Sequence, residues 1–228
     1  MSYLKGKGKG GKNEGEGGAK MAEYKFKITI LGDIAVGKTS ILSRYMTNEF
    51  NPAYRATVGV EFQVKNLKLD NNKVSLKIWD TCGEERYKSI TRQYYRNTNG
   101  ALLVFDLTNP KSLERINEWL MDLKSENQSD VVVFLVGNKS DSKDKLFQLS
   151  TEGKKFAMNN SIPYAEVSAK LGTGIQNLFE AMARKMVVVA ENKIENDPDA
   201  GENKGVVQIE KMYEKKGKGA DGKKGGCC

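Results

Sequence analysis

A doubly wound α/β fold is predicted, with a six-stranded, mostly parallel sheet, one antiparallel edge strand and about five helices. Three observations carry the prediction. The alternating Lys25-Phe26-Lys27-Ile28-Thr29-Ile30-Leu31 passes through a glycine-bounded loop into Ser40-Ile41-Leu42-Ser43-Arg44-Tyr45, which reads as strand, tight loop, helix. Next come two alternating runs separated by Asp70-Asn71-Asn72, the signature of a hairpin. Beyond them, wholly apolar runs alternate with helical periodicity, as expected for parallel strands covered on both faces.

Taken in order, residues 1–22 are rich in Gly and Lys with little to bury, and a disordered extension is expected there. Ser2 in place of glycine rules out the myristoylation pattern. After the first strand and helix, Asn51-Pro52 is turn-like, and the hairpin strands are Glu61–Leu69 and Val74–Trp79. Tyr87–Arg96 reads as loop and short helix, and Ala101–Phe105 as a buried strand. Ser112 opens the next helix, on which Leu113, Ile116, Trp119, Leu120 and Leu123 share one face. Val131–Val136 is a second buried strand, Thr151 begins a helix through Phe156 and Ala157, and Tyr164–Val167 is a short strand. Ile175 to about Asn192 closes the fold. The expected folded domain is 23–194, with a flexible tail over 195–228.

The net charge is +8, but much of the excess lies at the two ends. Residues 1–22 carry five lysines against two glutamates, and residues 211–228 six lysines against two acids. The interleaved aromatics of an RNA-binding platform are absent, so no nucleic-acid partner is expected; basic tails suit an anionic membrane surface. Three cysteines and no histidine allow neither a disulfide framework nor a zinc site, and exclude a histidine relay. A reducing compartment is expected. No signal-peptide run and no stretch approaching the ~20 residues of a membrane span is present.

Three motifs carry chemistry. Gly32-Asp33-Ile34-Ala35-Val36-Gly37-Lys38-Thr39 has the spacing of a phosphate-binding loop. Its glycines let the backbone wrap a polyphosphate, and successive N–H groups with the following helix N-terminus favour negative charge. Lys38 would reach the β- and γ-phosphates, and the Thr39 hydroxyl would bind Mg²⁺. Trp79-Asp80-Thr81-Cys82-Gly83-Glu84-Glu85 ends the hairpin: a strand-end carboxylate, Asp80, can hold Mg²⁺, and Gly83 lets an N–H approach the terminal phosphate. Gly137-Asn138-Lys139-Ser140-Asp141 follows a buried strand. Asp141 can accept from N1 and the exocyclic N2 of guanine, which adenine does not offer, and the Lys139 stem can lie over the base. Ser168-Ala169-Lys170 would close over the guanine O6 with a backbone N–H. Taken alone, the phosphate-loop spacing also arises by chance, Asp80-Thr81 also fits an ordinary strand terminus, and Asn138–Asp141 also fits a common polar turn; their order along the chain is what gives them weight.

Together these elements resemble the Ras-like small GTPases of the P-loop NTPase class, over residues 24–190. Thr57-Val58-Gly59-Val60-Glu61-Phe62, Lys77–Thr81, Arg86–Thr91, Tyr94-Tyr95-Arg96, Leu103–Thr108 and the terminal Gly225-Gly226-Cys227-Cys228 narrow the resemblance to the Rab family. The resemblance implies guanine-nucleotide contacts from Asp33, Ile34, Ala35, Val36, Gly37, Lys38, Thr39, Ser40, Phe50, Tyr54, Thr57, Gly83, Asn138, Lys139, Asp141, Ser168, Ala169 and Lys170. It implies Mg²⁺ on Thr39, Thr57 and Asp80, and catalysis of GTP hydrolysis to GDP by Lys38, Gly83 and Glu84. Phe62, Trp79 and Tyr94 would form an effector-facing triad; plain core packing is the other reading of those aromatics. Cys227 and Cys228 would take geranylgeranyl groups, which with the nearby lysines supply the two signals that stable anchoring needs. The implied partners are an exchange factor, a GTPase-activating protein, a GDP-dissociation inhibitor, a prenylation escort protein and effectors. The implied setting is a monomer on the cytoplasmic face of an intracellular membrane, with a cytosolic pool, serving vesicle transport.

Departures from the Rab pattern cluster. Ile34 and Ala35 replace small residues before Val36, Cys82 replaces the usual alanine, and Glu84 stands where a glutamine usually orients the attacking water. Ile34 would crowd the place where an activator's side chain enters, and Glu84 can accept a proton but cannot donate to phosphate. A weakly hydrolysing, long-lived GTP state is one expectation; compensated drift is the other. A P-loop ATPase or kinase is a third reading, which Asn138, Lys139 and Asp141 oppose.

Overall fold

In the computed structural model, residues 22–53, 57, 59–83, 92–127 and 131–196 are described. Residues 1–21 of the expected disordered extension, nearly all of the tail, Tyr54, Glu84, the run 86–91, Cys227 and Cys228 lie outside them. The strands are β1 (Glu23–Leu31), β2 (Val60–Leu69), β3 (Asn72–Thr81), β4 (Gly100–Asp106), β5 (Val132–Asn138) and β6 (Tyr164–Glu166). The helices are α1 (Lys38–Thr47), α2 (Pro110–Glu114), α3 (Ile116–Glu126), α4 (Phe147–Asn159) and α5 (Ile175–Asn196), with α2 running into α3 across Arg115 alone.

One six-stranded sheet has the order β2-β3-β1-β4-β5-β6. The β2–β3 pair is antiparallel and every other pair is parallel, as the alternating runs and the apolar runs respectively predict. Strand alternation divides the core in two. Leu102, Val104, Phe134 and Val136 point to the face covered by α1 and α5, where Ile41, Leu42, Phe179 and Met182 pack. Leu103, Phe105, Val133 and Leu135 point to the other face, against Leu113, Ile116, Trp119 and Leu120 of α2 and α3 and Leu149 of α4. That two-sided burial is why β4 and β5 read as continuous apolar runs.

Two helix starts differ from the sequence expectation. The helix expected to open at Ser112 opens at Pro110, because Asn109 caps it by accepting from the Lys111 N–H and proline suits the first helical position. The helix expected from Thr151 begins at Phe147, one turn earlier, where Phe147 is exposed and so adds nothing to the apolar stripe.

Chain order reverses at β1, which lies between β3 and β4. In such sheets the crevice outside the strand C-termini at the reversal is the natural ligand position. The glycine-rich loop leaves β1 at that end.

Candidate nucleotide site

A cavity of about 800 Å³ opens there. Its walls come from five separate stretches: the loop Ile34–Ser40 apart from Val36, the segment Phe50–Ala53 with Thr57, Cys82-Gly83 after β3, the loop after β5 that carries Asn138, Lys139 and Asp141, and the loop after β6 that carries Ala169 and Lys170. Backbone space is tight where the glycines stand. Gly37 has φ +98 and a Cβ there would lie 2.3 Å from Asn138 Nδ2, while a Cβ on Gly83 would lie 2.4 Å from Lys38 Nζ.

Lys38 is buried, and its ammonium donates to the carbonyls of Gly32 and Asp33, both at 2.8 Å. Burial pulls its pKa down to about 8, against the opposing pull of Asp80, Cys82 and Asp33. The loop thus presents a conditionally charged ammonium at the floor of the cavity.

At the same end, the Thr39 hydroxyl donates to Asp80 Oδ2 at 2.5 Å and accepts from the Thr57 hydroxyl at 2.7 Å. Asp80 is 2% exposed, and its Oδ1 is buried without a hydrogen-bond partner. Burial raises the pKa of this carboxyl, opposed by the Thr39 bond and by Lys38. Two hydroxyls converging with a carboxylate that has an unsatisfied oxygen form a hard-oxygen donor set, which fits Mg²⁺ retaining several waters. Among the described residues no cluster of three or more His, Cys, Asp or Glu offers a rival metal site.

The opposite end is a stitched pair of loops. Asn138 is buried; its amide donates to the Val36 carbonyl at 2.9 Å and its Oδ1 accepts from the Ala169 N–H at 3.2 Å. Ser168 donates to Asp141 Oδ1 at 2.5 Å and accepts from the Leu171 N–H at 2.9 Å. Lys139 is paired with Asp106 Oδ2 at 2.6 Å, across the β4–β5 register that sets Asp106 opposite Asn138.

Of the residues expected to touch nucleotide, Asp33, Val36 and Ser168 do not line the cavity. The Asp33 carboxylate turns to the other face of the sheet, accepting from Trp119 Nε1 at 3.0 Å and pairing with Arg115 at 3.4 Å. Val36 is a core side chain whose carbonyl serves Asn138, and Ser168 is buried behind Asp141.

The aromatic trio is assembled, but not as core. Phe62 is 48% exposed, its ring centroid lies 4.9 Å from that of Trp79, and Trp79 lies 5.3 Å from Tyr94. None of the three belongs to either core cluster. Lys77 Nζ sits 3.9 Å over Phe62 and 4.8 Å over Trp79, as a cation over ring faces.

Sequence reasoning missed several supporting residues. Arg44 on α1 forks onto the carbonyls of Ala169 at 2.9 Å and Lys170 at 2.7 Å, holding the last loop from below. No motif announces it. Asp106 was findable as an acid at the end of a buried strand beside a topological reversal.

A family model described as the Ras family matches residues 27–188, almost all of the described fold. The chain belongs to the Ras family. Among curated relatives, "Ras-related protein RIC2" of Oryza sativa subsp. japonica is 41% identical over 207 residues, covering 90% of this chain and 94% of the relative. "Ras-related protein Rab-8A" of Bos taurus is 37% identical over 188 residues, with 82% and 91% coverage. "Ras-related protein YPTC6" of Chlamydomonas reinhardtii is 37% identical over 211 residues, with 90% and 95% coverage. This Ras-family member is Rab-like. Its family is one of GTP-binding, GTP-hydrolysing switches that use Mg²⁺.

Proposed function

We propose that this chain is a Rab-type switch that binds GDP and GTP at the described cavity, hydrolyses GTP, and directs vesicle-mediated transport while tethered to an intracellular membrane. One observation carries the reading. A phosphate loop, a hydroxyl–carboxylate magnesium set and an Asn138–Asp141 base loop line or adjoin a single cavity of about 800 Å³. Asp141 takes the guanine N1–H and N2–H, with Phe50 and the Lys139 stem flanking the ring, and the loop N–H groups and Lys38 take the phosphates. Thr39, Thr57 and Asp80 would hold Mg²⁺, which would supply positive charge to neutralise the phosphates.

In hydrolysis, a water oxygen bonds to the γ-phosphorus and the bond to the bridging oxygen breaks. Its electron pair stays on the β-phosphate of GDP, and the water proton leaves with inorganic phosphate. Lys38 and the N–H near Gly83 stabilise the charge that develops, and Glu84 is the residue placed by sequence to contact the water. Loss of the γ-phosphate releases Thr57 and its neighbours, so the bound nucleotide selects which partners dock on Phe62, Trp79 and Tyr94.

A second reading keeps the switch but slows it: a long-lived GTP form acting as a docking surface. Ile34 favours it, since this branched side chain is 48% exposed and lines the cavity. Single-turnover hydrolysis on purified protein, with and without a GTPase-activating protein, separates the two. A stimulated rate that rises in a variant carrying Ile34→Gly, Ala35→Gly and Glu84→Gln supports the slow form; an unchanged rate rejects it. Failure to bind GTP at all would reject both.

A further inference from the structure

Glu166, the last residue of β6, gathers three donors. Lys145 pairs with its Oε2, and Ser150 of α4 and the Tyr164 hydroxyl both donate to its Oε1, the latter at 3.0 Å. The Lys145 and Glu166 side chains are 28% and 21% exposed, so the pair is partly shielded from water and salt. Lys145 lies four residues beyond Asp141 in the loop after β5, and Glu166 lies two residues before Ser168 in the loop after β6. Both loops reach the cavity, and each is otherwise joined to the other by neutral donors or short bonds: the Ser140 N–H to the Val167 carbonyl at 3.1 Å, Ser168 to Asp141, and Ala169 to Asn138.

We propose that Glu166 is a positioning residue that, through Lys145, holds the Asn138–Asp141 and Ser168–Lys170 loops in one register and so sets the preference for guanine over hypoxanthine. The inference rests on the guanine-nucleotide reading of the cavity. Asp141 already spends part of Oδ1 on Ser168. To receive N1–H and N2–H together, its carboxylate must be held in the plane of the base, and bonds to a charged acceptor fall off steeply with misalignment. Hypoxanthine keeps N1–H and O6 but lacks the N2 amine. The affinity ratio of GDP to IDP therefore reads the placement of Asp141, and a general loss of stability does not move it.

The test is competitive titration of the full chain with GDP, IDP and ADP, for the unchanged protein and for Lys145→Met, Lys145→Arg and Glu166→Gln. Lys145→Met and Glu166→Gln are expected to lower the GDP:IDP ratio by about tenfold, and Lys145→Arg to keep it. Should Glu166→Gln fail to fold, Lys145→Met decides, because it leaves Glu166 with Ser150 and Tyr164. A Lys145→Met protein with the wild-type ratio, or one weakened equally toward GDP and IDP, overturns the proposal while leaving the guanine reading in place. Equal binding of GDP, IDP and ADP by the unchanged protein brings down that reading, and this inference with it.

Discussion

Ala35 holds φ +62 in the middle of the phosphate loop, a conformation in which its Cβ crowds the backbone. Left-handed backbone costs a non-glycine residue about 1–2 kcal/mol, and the greater freedom of glycine in the unfolded chain offsets about 0.4–1 kcal/mol of any relief. Ala35→Gly is expected to stabilise the nucleotide-free protein by about 0.5–1 kcal/mol, seen as a higher urea midpoint with an unchanged slope. Lys38 makes a prediction of the opposite kind, in pH. Burial lowers its pKa from 10.5 to about 8, so between those values the unfolded chain holds the extra proton. This group therefore makes the folded, nucleotide-free protein more stable as pH rises through that window. A polyphosphate beside the ammonium favours the charged form and raises the pKa again. Nucleotide binding should thus take up a proton, increasingly so between about pH 7.5 and 8.5, and weaken as pH rises. Calorimetry in two buffers of different ionisation heat measures the uptake, and Lys38→Met should abolish it.

Elements are joined to the phosphate loop by single side chains. The indole of Trp119 on α3 donates to Asp33 across the sheet, and a hydrogen bond to a charged group contributes about 1.5–3 kcal/mol. Trp119→Phe keeps the ring in the core but removes the donor, so urea unfolding should show a loss in that range. Asn138 ties the end of β5 to both the phosphate loop and the loop after β6. Asn138→Ala leaves the Val36 carbonyl and the Ala169 N–H without that partner, and is expected to cost about 2–4 kcal/mol and to speed nucleotide release, measured by stopped-flow displacement. The strands and the apolar helix faces were legible because their periodicity is local. Two helix starts were not. Reading α2 from its first apolar residues passed over Asn109-Pro110, and α4 begins with an exposed phenylalanine that belongs to no stripe.

At the scale of the whole molecule, what could be read from sequence were loops whose chemistry lies within a few consecutive residues: Gly32–Thr39, Asp80–Gly83 and Asn138–Asp141. What could not be read were ties between distant stretches. Arg44 meets the Ala169 carbonyl across 125 residues, and Asp33 meets Trp119 across 86, so no spacing rule reaches either. Asp33 shows the consequence. It stands inside a nucleotide motif, yet tertiary packing turns its carboxylate to the opposite face, a placement no local spacing encodes. The fold converts these separate stretches into one cavity because β1 sits at the reversal of strand order, with β3 and β4 delivering their ends beside it. On the proposed reading, selectivity is a property of the assembled cavity: a charged acceptor for guanine N–H groups would be left unpaired against adenine. The direct test is calorimetry of nucleotide-stripped protein with GDP and with ADP in the presence of Mg²⁺. Binding of GDP about 100-fold or more tighter than ADP is the predicted result; equal affinities would contradict the account.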